Sequence, residues 1–128
     1  MREDALRRQQ NRAERLATVL ERDGYECVWC RGDVEFGLNR ATTDHIIPRV
    51  KGGPSWIENE VAACRRCNGE RGHTSPAEWI AECRRIGLDP NHEVIITTLL
   101  ALRHRVEMEG GCRRMRPYLE SQIRRLSR

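Results

Sequence analysis

The feature that most constrains the fold is a pair of Cys-x-x-Cys motifs, Cys27-Val28-Trp29-Cys30 and Cys64-Arg65-Arg66-Cys67. Each pair can chelate one side of a tetrahedral ion, and four thiolates together complete the coordination of Zn²⁺. Such a site has no open position for water, so the predicted zinc stabilises the fold and takes no part in chemistry. A thioredoxin-like redox site would need one such pair beside a βαβ pattern, which the sequence lacks.

Composition explains why a structural metal matters in this chain. Hydrophobic residues make up 38% of the 128 residues, the mean hydropathy is −0.72, and there is one Phe. The core is therefore modest, and the free energy of metal binding contributes to folding. No apolar run reaches the roughly 18 residues that span a bilayer, and the first residues contain no secretory apolar stretch. We expect a single domain over 1–128 without membrane segments, in the reducing cytoplasm of a bacterium or of a phage-infected host.

Hydrophobic spacing and capping signals predict helices on both sides of an irregular centre. The segment 1–24 contains one amphipathic helix over 5–22. The segment 25–73 contains a knuckle at the first Cys pair, a hairpin through 34–45, a short turn opened by a capping box at 55–58, and a helix that starts near the second Cys pair and ends near Gly72. The segment 74–128 contains three helices, predicted over 76–86, from Asp89-Pro90 to Gly110-Gly111, and over 113–126.

The stretch Asp44-His45-Ile46-Ile47-Pro48 lies between the two Cys pairs, and Asn59 and Asn68 follow it. Hydrolysis of a phosphodiester needs a base that deprotonates water and a cation beside the leaving oxygen. An imidazole, a carboxylate and an amide carbonyl meet these needs, since Mg²⁺ prefers oxygen ligands. This centre therefore indicates metal-assisted hydrolysis.

These residues, together with the Gly52-Gly53 loop and the run Cys64-Arg65-Arg66-Cys67-Asn68, resemble the Cys-clasped branch of the HNH endonuclease family over roughly 25–73. The resemblance implies a small α+β, treble-clef-like ββα-metal core, here flanked by one N-terminal helix and about three C-terminal helices. It also implies that His45 is the general base and that Asn59 orients the loop and the imidazole. By the same resemblance, Asp44 and Asn68 hold the catalytic cation, Mg²⁺, Mn²⁺ or another divalent ion, and DNA cleavage leaves 5′-phosphate and 3′-hydroxyl ends.

Arginine dominates the basic residues, since Lys51 is the only Lys among 23, and the formal net charge is +4. The planar guanidinium suits phosphate, although the codon usage of a GC-rich genome gives the same excess. The last 28 residues hold eight Arg against three Glu, either as phosphate contacts or as ordinary solvated charges. His73 is a metal ligand, a phosphate contact or simply the exit of the helix. The residues predicted to contact nucleic acid are Arg40, Arg49, Lys51, Arg65, Arg66 and Arg71.

The expected partner is nucleic acid, in particular double-stranded DNA. One alternative function is a non-catalytic zinc module that binds nucleic acid, which would need the Cys clasp but not Asp44, His45 or Asn68. Another is a nuclease subunit of a larger phage-packaging or restriction complex. Trp29 and Trp56 are predicted to serve in packing, and no functional role is assigned to Cys83 or Cys112.

Overall fold

A computed structural model of the chain describes residues 9–35 and 40–128. Within these ranges the protein is a small α+β structure with a two-stranded antiparallel sheet and flanking helices, as the sequence predicted. None of the described helices is long and apolar enough to cross a membrane. In chain order the elements are α1 Arg12–Asp23, β1 Ala41–His45, β2 Glu60–Cys64, α2 Arg65–Arg71, α3 Pro76–Arg85, α4 His92–Glu109 and α5 Arg116–Leu126.

The sheet joins the Asp-His pair to the second Cys pair. β1 and β2 run antiparallel, with His45 opposite Glu60 and Ala41 opposite Cys64. The sequence predicted a hairpin through 34–45, of which residues 36–39 lie outside the described part of the chain. In the described part of the chain, β1 pairs with β2. The 14 residues from 46 to 59 connect the two strands and contain two 3₁₀ turns, Arg49–Lys51 and Ile57–Asn59.

The predicted capping box at 55–58 is wrong in detail. Trp56, not Ser55, occupies the N-cap position of the turn Ile57–Asn59, and no side chain caps this turn. The Ser55 hydroxyl points instead toward the His45 ring. The local sequence resembles a cap, but the Ser55 hydroxyl contacts the His45 imidazole and does not cap the turn.

The helices begin and end at recognisable capping residues. A capping box of Asn11 and Glu14 starts α1, so the helix begins later than the predicted residue 5, and positions 5–8 of that prediction lie outside the described residues. Gly72 ends α2 close to the predicted position, and the Ser75 hydroxyl caps α3. The last two helices agree with the prediction to within three residues at each end, with Asn91 capping α4.

One hydrophobic core holds these elements together. Trp29 is fully buried and meets Trp79 of α3 edge-to-face, with ring centroids 6.5 Å apart. In the C-terminal part, buried side chains of α4 such as Leu99 and Leu102 belong to one core with Leu119 and Ile123 of α5. Helix α4 also packs on the turn Ile57–Asn59 and so supports the loop that follows the Asp-His pair.

Candidate functional site

The four paired cysteines meet at one point. Cys27 and Cys30 lie on the knuckle after α1, Cys64 ends β2, and Cys67 lies in the first turn of α2. Their Sγ atoms all lie within 4.8 Å of one another, which fits the roughly 3.8 Å between thiolates around tetrahedral zinc. Burial raises the pKa of Cys27 to about 11 and also raises the pKa of Cys67. A bound cation would offset this effect, since coordination deprotonates a thiol.

The loop between β1 and β2 is fastened by the Asn59 side chain, which is fully buried. Its Oδ1 accepts a hydrogen bond from the Ile47 amide at 2.9 Å, and its Nδ2 donates to the carbonyl oxygens of Ile47 and Pro54, both at 3.0 Å. Gly53 makes this closure feasible, because a Cβ there would lie 1.8 Å from the Ile47 carbonyl oxygen. The geometry gives Asn59 the means to fix the backbone that follows His45.

His45 ends β1 with its ring turned toward the second half of the loop. Its Nε2 lies 3.0 Å from Ser55 Oγ and 3.6 Å from Glu60 Oε2. Burial, followed by the positive charges of Arg49, Arg15 and Arg12, lowers the pKa of His45 to about 4. The imidazole is therefore neutral near pH 7 and has a lone pair that can accept a proton.

Asp44 is buried and held from two sides. Its Oδ2 accepts a hydrogen bond from the Trp29 indole at 2.7 Å, and its Oδ1 accepts one from Arg71 at 2.8 Å. Burial raises the pKa of Asp44, and the charge of Arg71 and the two hydrogen bonds oppose this rise. Trp29 thus has a polar role beyond the packing that the sequence predicted.

Asn68 of α2 faces β1 across the same site. Its Nδ2 donates to Thr42 Oγ1 at 2.9 Å and to the Thr43 carbonyl oxygen at 3.2 Å, which orients the side chain and leaves Oδ1 as the atom that could bind a cation. Asp44, His45 and Asn68 line one cavity of about 300 Å³, here called the Asp-His cavity. A carboxylate and an amide oxygen fit a hard cation that takes its other ligands from water and phosphate.

The predicted nucleic-acid contacts separate into groups. Arg49 is exposed at the rim of the Asp-His cavity, and His73 lines it as well. Arg40, Arg65 and Arg66 line a second cavity, of about 380 Å³, beside Cys30 and Cys64. The Lys51 ammonium lies 5.5 Å from the centre of the Tyr118 ring.

Arg71 differs from the expectation of a phosphate contact. The side chain is buried, and its guanidinium donates to Asp44 and to the carbonyl oxygens of His45, Ile46 and Thr74. It also lies over the Trp29 ring, 5.1 Å from the centroid. Because its donors are engaged inside the protein, Arg71 positions the Asp-His pair and is not available to a phosphate.

Several residues of the site were missed by sequence reasoning. Helix α1 brings Arg12 and Arg15 to the Asp-His cavity, and the sheet register brings Glu60 next to His45. The signal for Glu60 was a charged residue directly after Asn59, within an otherwise apolar run up to Cys64. The position of Glu60 beside His45 could be inferred only from the pairing of β1 with β2.

Part of the chain matches a known protein family. Residues 27–83 match the model of the HNH endonuclease family. This segment contains both Cys pairs, the Asp-His pair, Asn59 and Asn68. It leaves α1 and the last two helices outside.

Two similar proteins are CRISPR-associated Cas9 endonucleases. The protein of Corynebacterium diphtheriae is 36% identical over 61 residues, which are 47% of this chain and 5% of that protein. The protein of Actinomyces naeslundii is 33% identical over 66 residues, which are 51% of this chain and 6% of that protein. The match therefore spans about one-twentieth of the length of these relatives.

Proposed function

We propose that the HNH endonuclease domain formed by residues 27–83 hydrolyses phosphodiester bonds of DNA, with His45 as the general base. The observation that supports this most is the Asp-His cavity. It combines a neutral imidazole, two oxygen ligands on Asp44 and Asn68, and a cationic rim that includes Arg49. These are the components that hydrolysis of a phosphodiester requires.

In the proposed reaction, His45 accepts a proton from a water molecule as the water oxygen attacks phosphorus. The bond from phosphorus to the 3′ oxygen breaks, and the leaving oxygen takes a proton from solvent. The products carry 5′-phosphate and 3′-hydroxyl ends, as the family resemblance implies. The low pKa of His45 keeps the base unprotonated at neutral pH.

Asp44 and Asn68 would hold a divalent cation, Mg²⁺ or Mn²⁺. When bound, the cation supplies stabilisation of the negative charge that develops at the phosphate and its leaving oxygen. Trp29 and Arg71 hold the Asp44 carboxylate in place by hydrogen bonds to its two oxygens. Each carboxylate oxygen has further lone pairs for a metal ion.

The second metal in the proposal is structural zinc, held by Cys27, Cys30, Cys64 and Cys67. Free thiols in this arrangement suit a reducing compartment, so we place the reaction in the cytoplasm. Double-stranded DNA is the proposed substrate. Because the matching domain is a small part of its Cas9 relatives, action within a larger complex is the second candidate.

Incubation of the purified chain with supercoiled plasmid and Mg²⁺, Mn²⁺ or EDTA tests the proposal. We expect nicking with the metal ions and none with EDTA. His45→Ala should lower the rate by roughly 10²- to 10⁴-fold, because general-base catalysis is lost. His104→Ala, on the exposed face of α4, is the matched control. Plasmid binding without metal-dependent nicking would favour the non-catalytic module.

A metal titration tests the two proposed ligands. Asp44→Asn and Asn68→Ala should each raise the Mg²⁺ concentration that gives half-maximal nicking. Asp44→Asn keeps the size of the side chain but removes the charge beside buried Arg71 and sets an amide NH₂ against a donor, so circular dichroism is used to select folded protein for the titration. An unchanged titration curve in both variants would remove these residues from the ligand set.

A further inference from the structure

Glu60 is a buried carboxylate that the proposed chemistry does not yet use. It is fully buried at the start of β2, directly opposite His45. Its Oε1 accepts a hydrogen bond from Arg15 of α1 at 2.7 Å. Its Oε2 is buried without a hydrogen-bond partner among the described residues and lies 3.6 Å from His45 Nε2. Because a buried polar atom without a partner is costly, its presence beside the proposed base needs an explanation.

The hydrogen-bonding chemistry of Glu60 and His45 explains the position of this carboxylate. A neutral imidazole carries its proton on either Nδ1 or Nε2, and its partners decide which. A carboxylate oxygen is only an acceptor, so a lone pair on Nε2 would face a negative oxygen, whereas an Nε2–H would be attracted to it. The Ser55 hydroxyl, 3.0 Å from Nε2, can accept the same proton.

We propose that Glu60 is a positioning residue that keeps the proton of His45 on Nε2, so that Nδ1 is the atom that accepts a proton from the attacking water. Arg15 holds Glu60 in place, which makes α1 part of the active site although it precedes the family segment. The catalytic part of this inference rests on the proposed function of His45. The distance of 3.6 Å is longer than a hydrogen bond, and contacts of this kind commonly tighten when substrate binds.

Glu60→Gln tests this inference because it preserves the shape of the side chain. Arg15 can only donate, so it retains the amide oxygen and turns the amide NH₂ toward Nε2. The amide donor then favours a lone pair on Nε2 and moves the ring proton to Nδ1. Glu58→Gln is the matched control, because Glu58 also pairs with an arginine, Arg105 at 2.8 Å, and is two residues away.

The tautomer is measured by long-range ¹H–¹⁵N NMR of the histidine rings at neutral pH, with His45 assigned by its loss in His45→Asn. The wild-type chain and Glu58→Gln should show Nε2–H. Glu60→Gln should shift to Nδ1–H and lower kcat on the order of 10- to 100-fold, with KM unchanged.

Two outcomes overturn the inference: Nδ1–H in the wild-type chain, or an unchanged tautomer and kcat in a folded Glu60→Gln variant. If Glu60→Gln does not fold, the wild-type tautomer decides alone. A wild-type chain that never cuts DNA contradicts the proposed function, whereas the ring tautomer still tests the role of Glu60. The two failures are therefore distinguishable.

Discussion

The segment around the site and the last two helices are stabilised in different ways. Between β1 and α2 the buried residues include Asp44, Asn59, Glu60 and Arg71, which are held by hydrogen bonds and ion pairs. Helices α4 and α5 contribute mainly aliphatic side chains to the core, and their buried polar residues are Thr98 and Gln122. The site segment thus adds specific polar contacts and a thiol cluster to its share of the apolar core, whereas the helix pair depends on apolar area.

This difference determines how the stability of each region should respond to mutation. Apolar packing loses free energy in proportion to the atoms removed, usually a few kcal/mol for one truncated side chain. Structural zinc contributes about 10–16 kcal/mol of apparent binding free energy at neutral pH, most of which is folding free energy. We therefore expect all-or-none loss in the site segment and graded loss in the helix pair.

The largest effect is predicted for the clasp. Cys67→Ser should abolish the native fold, because one of four zinc ligands is lost and the binding free energy with it. Elemental analysis should give about one zinc per wild-type chain, and circular dichroism should show unfolding of the variant. Cys112→Ser, at a half-buried cysteine outside the cluster, is the control and should keep both metal and fold. A folded Cys67→Ser variant without zinc would contradict the all-or-none expectation.

The second prediction concerns the helix pair. Leu102→Ala should lower the free energy of unfolding by about 2–5 kcal/mol, because Leu102 is fully buried on α4. Zinc content and the rate of nicking by the folded protein should remain at wild-type values. Urea denaturation measures the loss, and Leu100→Ala, on the more exposed side of the same helix, should change stability by less than about 0.5 kcal/mol. Loss of zinc together with stability in Leu102→Ala would show that the two regions are not separable.

The smallest effect is predicted for the basic end of α5. Arg124, Arg125 and Arg128 are exposed, and replacing all three with Gln should weaken DNA binding at every sequence. The slope of log affinity against log salt should fall by roughly 0.9 for each phosphate that the variant no longer neutralises. A control with the same change in net charge replaces Arg31, Arg84 and Arg85, which are also exposed. Equal salt slopes in the two triple variants would mean that these arginines are ordinary solvated charges.

The sequence predicted those features that depend on short spacing. The Cys pairs, the Ser75 cap of α3, and the motif from Asp44 to Asn68 are local patterns, and the structure brings the corresponding residues together. The strand β2 was missed because the connection 46–59 hid its pairing with β1. The single-domain extent over 1–128 stays a prediction.

Burial was the other quantity that sequence could not supply. The sequence predicts that Arg71 contacts phosphate, because it is an arginine close to the motif. In the structure it is enclosed between Asp44 and the Trp29 ring. Glutamate is usually a surface residue, yet the sheet register and Arg15 place Glu60 in a buried position beside His45. In both cases a partner distant in the chain determines the role of the charge.

The contacts of α1 determine how the proposed nuclease unit could be transferred into another protein. Arg15 binds Glu60, and Arg22 donates to the carbonyl oxygens of Ile57 and Glu60 at 2.7 and 2.8 Å. A graft trimmed to the family boundary at residue 27 would leave these acceptors without their donors and uncover the back of β2. The smallest segment that keeps these contacts therefore begins at Asn11, which caps α1, sixteen residues before the first residue of the family match.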